Sequence, residues 1–213
     1  MRRPLPAVFC LLLFSAFLVS CAPAAPAAQV ELVKVYSTPA AQPWLSDLFA
    51  CADQYSLALE VSAESPAITL RLGEPELSVS PMYQIGEEEI LIVTHRESPV
   101  QNLTLSQAQE LFAQGAPAVQ VWGYASDADL QIVFDQLVMK GRPVTSSAKM
   151  AANSQQMSDL LNAEKSAVGI LPKHWVAGNV REVFSAGSVP VLAVTDDGAG
   201  GAVQSMIACL QSN

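Results

Sequence analysis

Residues 119–134, VQVWGYASDADLQIVF, could carry chemistry at a strand-to-helix turn. Val119, Val121, Trp122 and Tyr124 suit a buried strand, and Leu130, Val133, Phe134 and Leu137 fall at helical spacing. Ser126, followed three residues later by Asp129, reads as a capping box at a helix start. In an open α/β sheet such turns gather ligands, because backbone N–H groups point outward there. The same side chains could equally do no more than cap the helix. Two further helix starts resemble this one in chemistry. Thr38 is a plausible N-cap with Pro39 at the first helical position, and Asn153-Ser154 can cap a helix running to about Ala163. Arg71, near the end of a short strand, is either an anion contact or a surface residue. His95 and His174 are the only histidines, and no GxSxG, HExxH or P-loop pattern accompanies them. The chain is therefore expected to be no enzyme, and no Cys/His spacing suggests a metal.

The elements that must position these groups alternate. Strands are expected at 30–36, 57–61, 68–72, 89–94, 167–171 and 189–194. Helices are expected to carry Trp44, Leu45, Leu48 and Phe49, then Ala108, Leu111 and Phe112, then Met157, Leu160 and Leu161, with a last one over 202–210. Gly115 stops the second of these. Strand-helix alternation implies a mainly parallel α/β arrangement. It falls into two blocks. The chain crosses over at about 89–100 and back at about 181–194, so residues 30–94 with 190–213 form a first lobe and 100–180 a second, joined by a hinge. No helix fits between Val61 and Ile68, so the first lobe is reduced.

The bulk numbers fit one ordinary domain or two small lobes. With 213 residues and 51% hydrophobic content the chain can bury a core. Its net charge of −9 becomes −11 without Arg2 and Arg3, which excludes binding nucleic acid through phosphates. Residues 1–20 read as a secretory leader. Met1-Arg2-Arg3 is a charged start, and the apolar run 8–19 is short of the roughly 20 residues that span a bilayer. The run ends in Leu18-Val19-Ser20-Cys21, which resembles the lipobox of bacterial lipoproteins. That resemblance implies cleavage before Cys21 and lipidation of its thiol, with residues 21–29 as a Pro/Ala tether. The protein would then be exported and anchored by lipid to the outer face of the cell membrane, or be periplasmic. Cys51 and Cys209 remain, on the expected first and last helices. They are either a disulfide or two buried thiols.

The order of elements resembles the phosphate-receptor-like branch of the type II periplasmic-binding superfamily. Residues 103–115 (LTLSQAQELFAQG) are similar to the helix after that family's first crossover. The 121–134 stretch is similar to its strand, Ser-Gly-Thr-Arg turn and helix. Residues 153–157 and 167–172 match a later helix and strand. The resemblance implies a two-lobed extracytoplasmic solute receptor, monomeric and without a cofactor, serving an ABC permease. Its ligand would be a small anion or other small solute. A degenerate relative acting as sensor or protein-interaction module is the alternative. Carried over residue by residue, the ligand site comprises Ser37, Thr38, Arg71 and Gly73 from the first lobe, and Ser126, Asp127 and Ser154 from the second. This chain has Asp127-Ala128-Asp129 where the family has Gly-Thr-Arg, exchanging an arginine for two carboxylates. A carboxylate about 5 Å from a phosphate charge costs roughly 3 kcal/mol at an effective dielectric near 20.

Overall fold

The computed structural model describes residues 31–75, 79–196 and 199–212. The leader, Cys21 and the tether lie outside them. Eight strands form one sheet in the order β2-β1-β3-β8-β4-β7-β5-β6. β1 (Leu32–Ser37), β2 (Ala58–Val61) and β3 (Ile68–Leu72) make one flank, and β5 (Gln120–Gly123), β6 (Lys149–Met150) and β7 (Ala167–Pro172) make the other. Pairing within each flank is parallel. Between them run β4 (Met82–His95) and β8 (Val180–Val194), long strands paired antiparallel to each other.

These two strands run through the segments where crossings were expected, 89–100 and 181–194, and reach further. The apolar signal marks only one end of each, whereas the strands begin seven and nine residues earlier than the expected 89 and 189. The cause lies in β4's burial. From Met82 to Glu89 it is mostly exposed or half-buried, and from Ile90 to His95 it is buried throughout. A half-buried strand carries a weaker apolar pattern. The two blocks therefore share one sheet through a continuous ribbon. No helix stands between β2 and β3, so the first flank is reduced.

The flanking helices are amphipathic and stopped by local chemistry. α2 (Leu105–Gln114) opens with a reciprocal capping box: the Gln107 N–H donates to Thr104 Oγ1, and the Thr104 N–H donates to Gln107 Oε1. It buries Ala108, Leu111 and Phe112 and ends at Gly115, whose φ of +74° suits glycine. α4 (Ser154–Ala163) is capped by Asn153, which accepts from the Gln156 N–H, and it packs on β7 and β4. α1 (Leu45–Gln54) packs on α5 (Gly201–Leu210), and a Cys51–Cys209 disulfide joins them across a Cα separation of 5.9 Å. α3 (Asp129–Phe134) passes into a π-helical turn, Asp135–Met139, and Phe134 meets Phe112 of α2 at 4.7 Å between ring centres. β7, antiparallel to β4 and parallel to β5, is buried along its whole length.

Candidate functional site

The carboxyl ends of β1 and β5 and the start of α4 converge on one cavity. The Thr38 N–H donates to Leu70 O just past the end of β1. Thr38 is not an N-cap: the chain makes a turn and a 3₁₀ segment (Gln42–Trp44) before α1 begins at Leu45. Its hydroxyl donates instead to Asp129 Oδ2 at 2.6 Å. The expected capping box at Ser126 is absent as well. Ala128 holds the N-cap position with no side-chain cap, and the helix opens three residues after Ser126, at Asp129.

Asp129 is the best-connected polar side chain at this end of the sheet. It is buried, 6% exposed. Oδ2 accepts from the Thr38 hydroxyl and from the Leu72 N–H (2.9 Å), and Oδ1 accepts from the Leu130 N–H (2.9 Å). A buried carboxylate requires such donors, since an unpaired one is strongly destabilising. The partners come from both flanks, so Asp129 ties the α3 side to the β1–β3 side. Gly73 lets them approach: a Cβ there would stand 2.7 Å from Val133 Cγ2.

Beside Asp129 lies a cavity of about 180 Å³, walled by Tyr36, Thr38 and Ala40 on one side and by Tyr124, Asp127, Ala128, Asn153 and Ser154 on the other. It is smaller than the roughly 300–1,000 Å³ typical of drug-sized ligands, and suits a small solute. Among the described residues no lysine or arginine lines it. The Ser154 hydroxyl is buried and makes no well-formed hydrogen bond. The neighbouring Tyr124 hydroxyl donates to Ile170 O (2.8 Å). Burial pushes the Tyr124 pKa far up, against a smaller downward pull from Ser154.

Of the residues expected at the site, Thr38, Asp127 and Ser154 meet here. The others do not. Ser37 donates to Thr38 O and faces an adjoining groove of about 290 Å³. Arg71 is outside the lining because strand alternation buries Leu70 and Leu72 on the other face, and its Nε donates to Gly73 O (3.1 Å). Gly73 serves packing, with φ +64° and its N–H on Pro190 O. Ser126 is exposed and lines a separate cavity of about 380 Å³ with Gln131 and Asp135. Tyr36, Tyr124, Asn153 and Asp129 were absent from the expected set. The two tyrosines were legible only as strand ends. His95 is buried with Nδ1 accepting from the Glu97 N–H, and His174 pairs with Glu88, both outside the cavity. Among the described residues no cluster of His, Cys, Asp or Glu could hold a metal ion.

No protein-family profile matches the chain, and no curated protein matches it. Solved structures do. A protein described as a phosphate ABC transporter substrate-binding protein from Clostridium perfringens, with bound phosphate, superposes with a TM-score of 0.71 at 17% identity, covering 84% of this chain and 93% of that one. An ABC-type phosphate transport receptor from Vibrio cholerae gives 0.61 at 15% identity, with the same coverage. The reduced regulatory domain of OxyR2 from Vibrio vulnificus gives 0.67 at 10% identity, covering 86% of this chain and 95% of that one. The chain has the type II periplasmic-binding-protein-like fold. At these identities the likeness extends to the fold alone.

Proposed function

We propose that the chain is an extracytoplasmic solute-binding lipoprotein, lipid-anchored at Cys21 and serving as the receptor of an ABC-type importer. The observation that carries this reading is the small cavity between the two flanks of the sheet, where Thr38 on one side and Asp127 and Ser154 on the other share its wall. Two supports are independent of the cavity. Residues 1–21 have the order of a lipoprotein leader, and structures sharing this fold include phosphate substrate-binding proteins of ABC transporters. Binding between two flanks uses contributions from both, which is how a receptor couples capture to closure.

The test is a thermal-shift screen of the full chain in detergent against small solutes. A ligand that binds the native state at about a hundred times its Kd adds about 2.7 kcal/mol, and its melting temperature should rise in a saturable way. Metabolic labelling with radioactive palmitate tests the anchor: the wild type takes label and C21A does not.

One observation favours the competing reading of a sensor or protein-interaction module: Asp129 ties both flanks together through the chain's own donors. A screen that returns no saturable stabiliser supports that reading over the receptor.

A further inference from the structure

Three hydrogen-bond donors from three separate segments converge on one carboxylate. They are the Thr38 hydroxyl beyond β1, the Leu72 N–H on β3 and the Leu130 N–H in the first turn of α3, at 2.6, 2.9 and 2.9 Å. Convergent donors of this kind are what proteins build around an oxyanion. Here the oxyanion belongs to the chain itself. We propose that Asp129 is the specificity-determining residue of the cleft: its carboxylate occupies the seat of an oxyanion, and the solute taken beside it brings N–H or O–H donors and no net negative charge.

The second half of the proposal rests on the solute-receptor reading; the filled seat does not. Three further observations lead to it. The donors an anion would need are spent on Asp129. A second anion about 5 Å from that charge, at an effective dielectric near 20, binds about two orders of magnitude more weakly than it would beside a neutral group. Asp127 adds a second carboxylate to the lining, and no lysine or arginine offsets either. What remains toward the cavity is acceptor capacity. An ionised carboxylate has about four lone-pair sites, and the chain fills three of Asp129's. The Ser154 hydroxyl, buried without a well-formed partner, can accept as well as donate. A solute presenting donors satisfies both groups at once.

The experiment uses the full chain in detergent at constant ionic strength. Wild type is titrated calorimetrically with inorganic phosphate and with sulfate, and the expected result is no saturable heat. D129G, which removes the carboxylate and leaves its three donors, is expected to melt at a lower temperature and to recover in a saturable way with acetate or formate, while wild type stays flat. Saturable phosphate or sulfate binding by wild type overturns the proposal, as does an acetate response of D129G no larger than that of wild type. Should D129G not fold, D129N keeps the shape and removes the charge. It is expected to bind sulfate about tenfold or more tighter than wild type, and an unchanged titration overturns the proposal. The two readings fail separately. Acetate rescue of D129G with no solute stabilising wild type keeps the filled seat and removes the receptor. An uncharged or cationic stabiliser of wild type with no acetate rescue keeps the receptor and removes the seat.

Discussion

Two buried carboxylates join distant parts of this chain, and they differ in what lies beside them. Glu88, 1% exposed on β4, accepts from Trp44 Nε1 (3.0 Å) in the 3₁₀ segment before α1. It also accepts from the His174 N–H (3.2 Å) and lies 2.5 Å from His174 Nδ1, in the short turn after β7. Asp129 has the same number of hydrogen-bond contacts, from three residues rather than two, and similar burial. Each junction also has a glycine at its closest approach: the Trp44 ring sits where a Gly86 Cβ would be, as Val133 does at Gly73. Only Asp129 borders a cavity with an unsatisfied buried hydroxyl in its wall. Burial and multiple hydrogen bonds therefore do not mark a site by themselves; Glu88 has both and serves cohesion. The buried Ser154 hydroxyl beside the charge, which makes no well-formed hydrogen bond, is the difference.

That contrast can be broken or sharpened in several ways. The largest effect should come from the covalent tie. Cys51 and Cys209 are 158 residues apart, so C51A/C209A should lose about 5 kcal/mol of unfolding free energy in the chain-entropy model, measured by urea melts with and without reductant. A loss smaller than that of either carboxylate variant would put the first flank's cohesion in the polar junctions instead. E88A should come next, at about 2–3 kcal/mol, because it leaves the Trp44 N–H without its acceptor while the half-exposed His174 can turn to water. Its anion titrations should match wild type. If E88A admits phosphate, the two junctions are not different in kind.

T38V removes one charge-assisted hydrogen bond to Asp129 and should cost about 2 kcal/mol in urea melts. The smallest effect belongs to Glu89, beside Glu88 but partly exposed. Hydrogen bonds from Lys173 and Ser185 hold its carboxyl below the usual carboxylate range. A depressed folded-state pKa contributes stability that is present above the ordinary carboxylate pKa and is lost as pH falls through the lowered one. K173M should flatten that acid limb of a stability-versus-pH profile, and should change stability at neutral pH little, because solvent screens the pair.

Much of this architecture was legible in the residues. Ala108, Leu111 and Phe112 gave α2 its inward face and Gly115 its stop. Asn153 and Ser154 marked the start of α4 to the residue. That Thr38 lies among the residues of one cavity fits the expected grouping, though a cap was expected there and a strand end is present. Asp129 shows why the rest was not. Local rules assign an acidic residue near a helix start to capping. Its decisive partners, Leu72 and Thr38, stand 57 and 91 residues away, and no spacing rule reaches that far. Arg71 failed for the opposite reason. Its type suggested an anion contact, but strand alternation sends it to the other face. β6 is only two residues long, too short for any periodicity to register.

The ribbon of β4 and β8 constrains how this protein can work. Its backbone pairing runs from Met82–Val194 to His95–Val180, between the two flanks, with register breaks at Gln84/Gly86, Ile90/Leu91 and Ile92/Val93. A pair of flexible linkers would let the flanks swing apart freely. A hydrogen-bonded ladder does not bend in that way, so any parting of the flanks has to be taken up as torsion along it. Any widening of the cavity mouth would then have to come from twisting, most readily where the pairing slips.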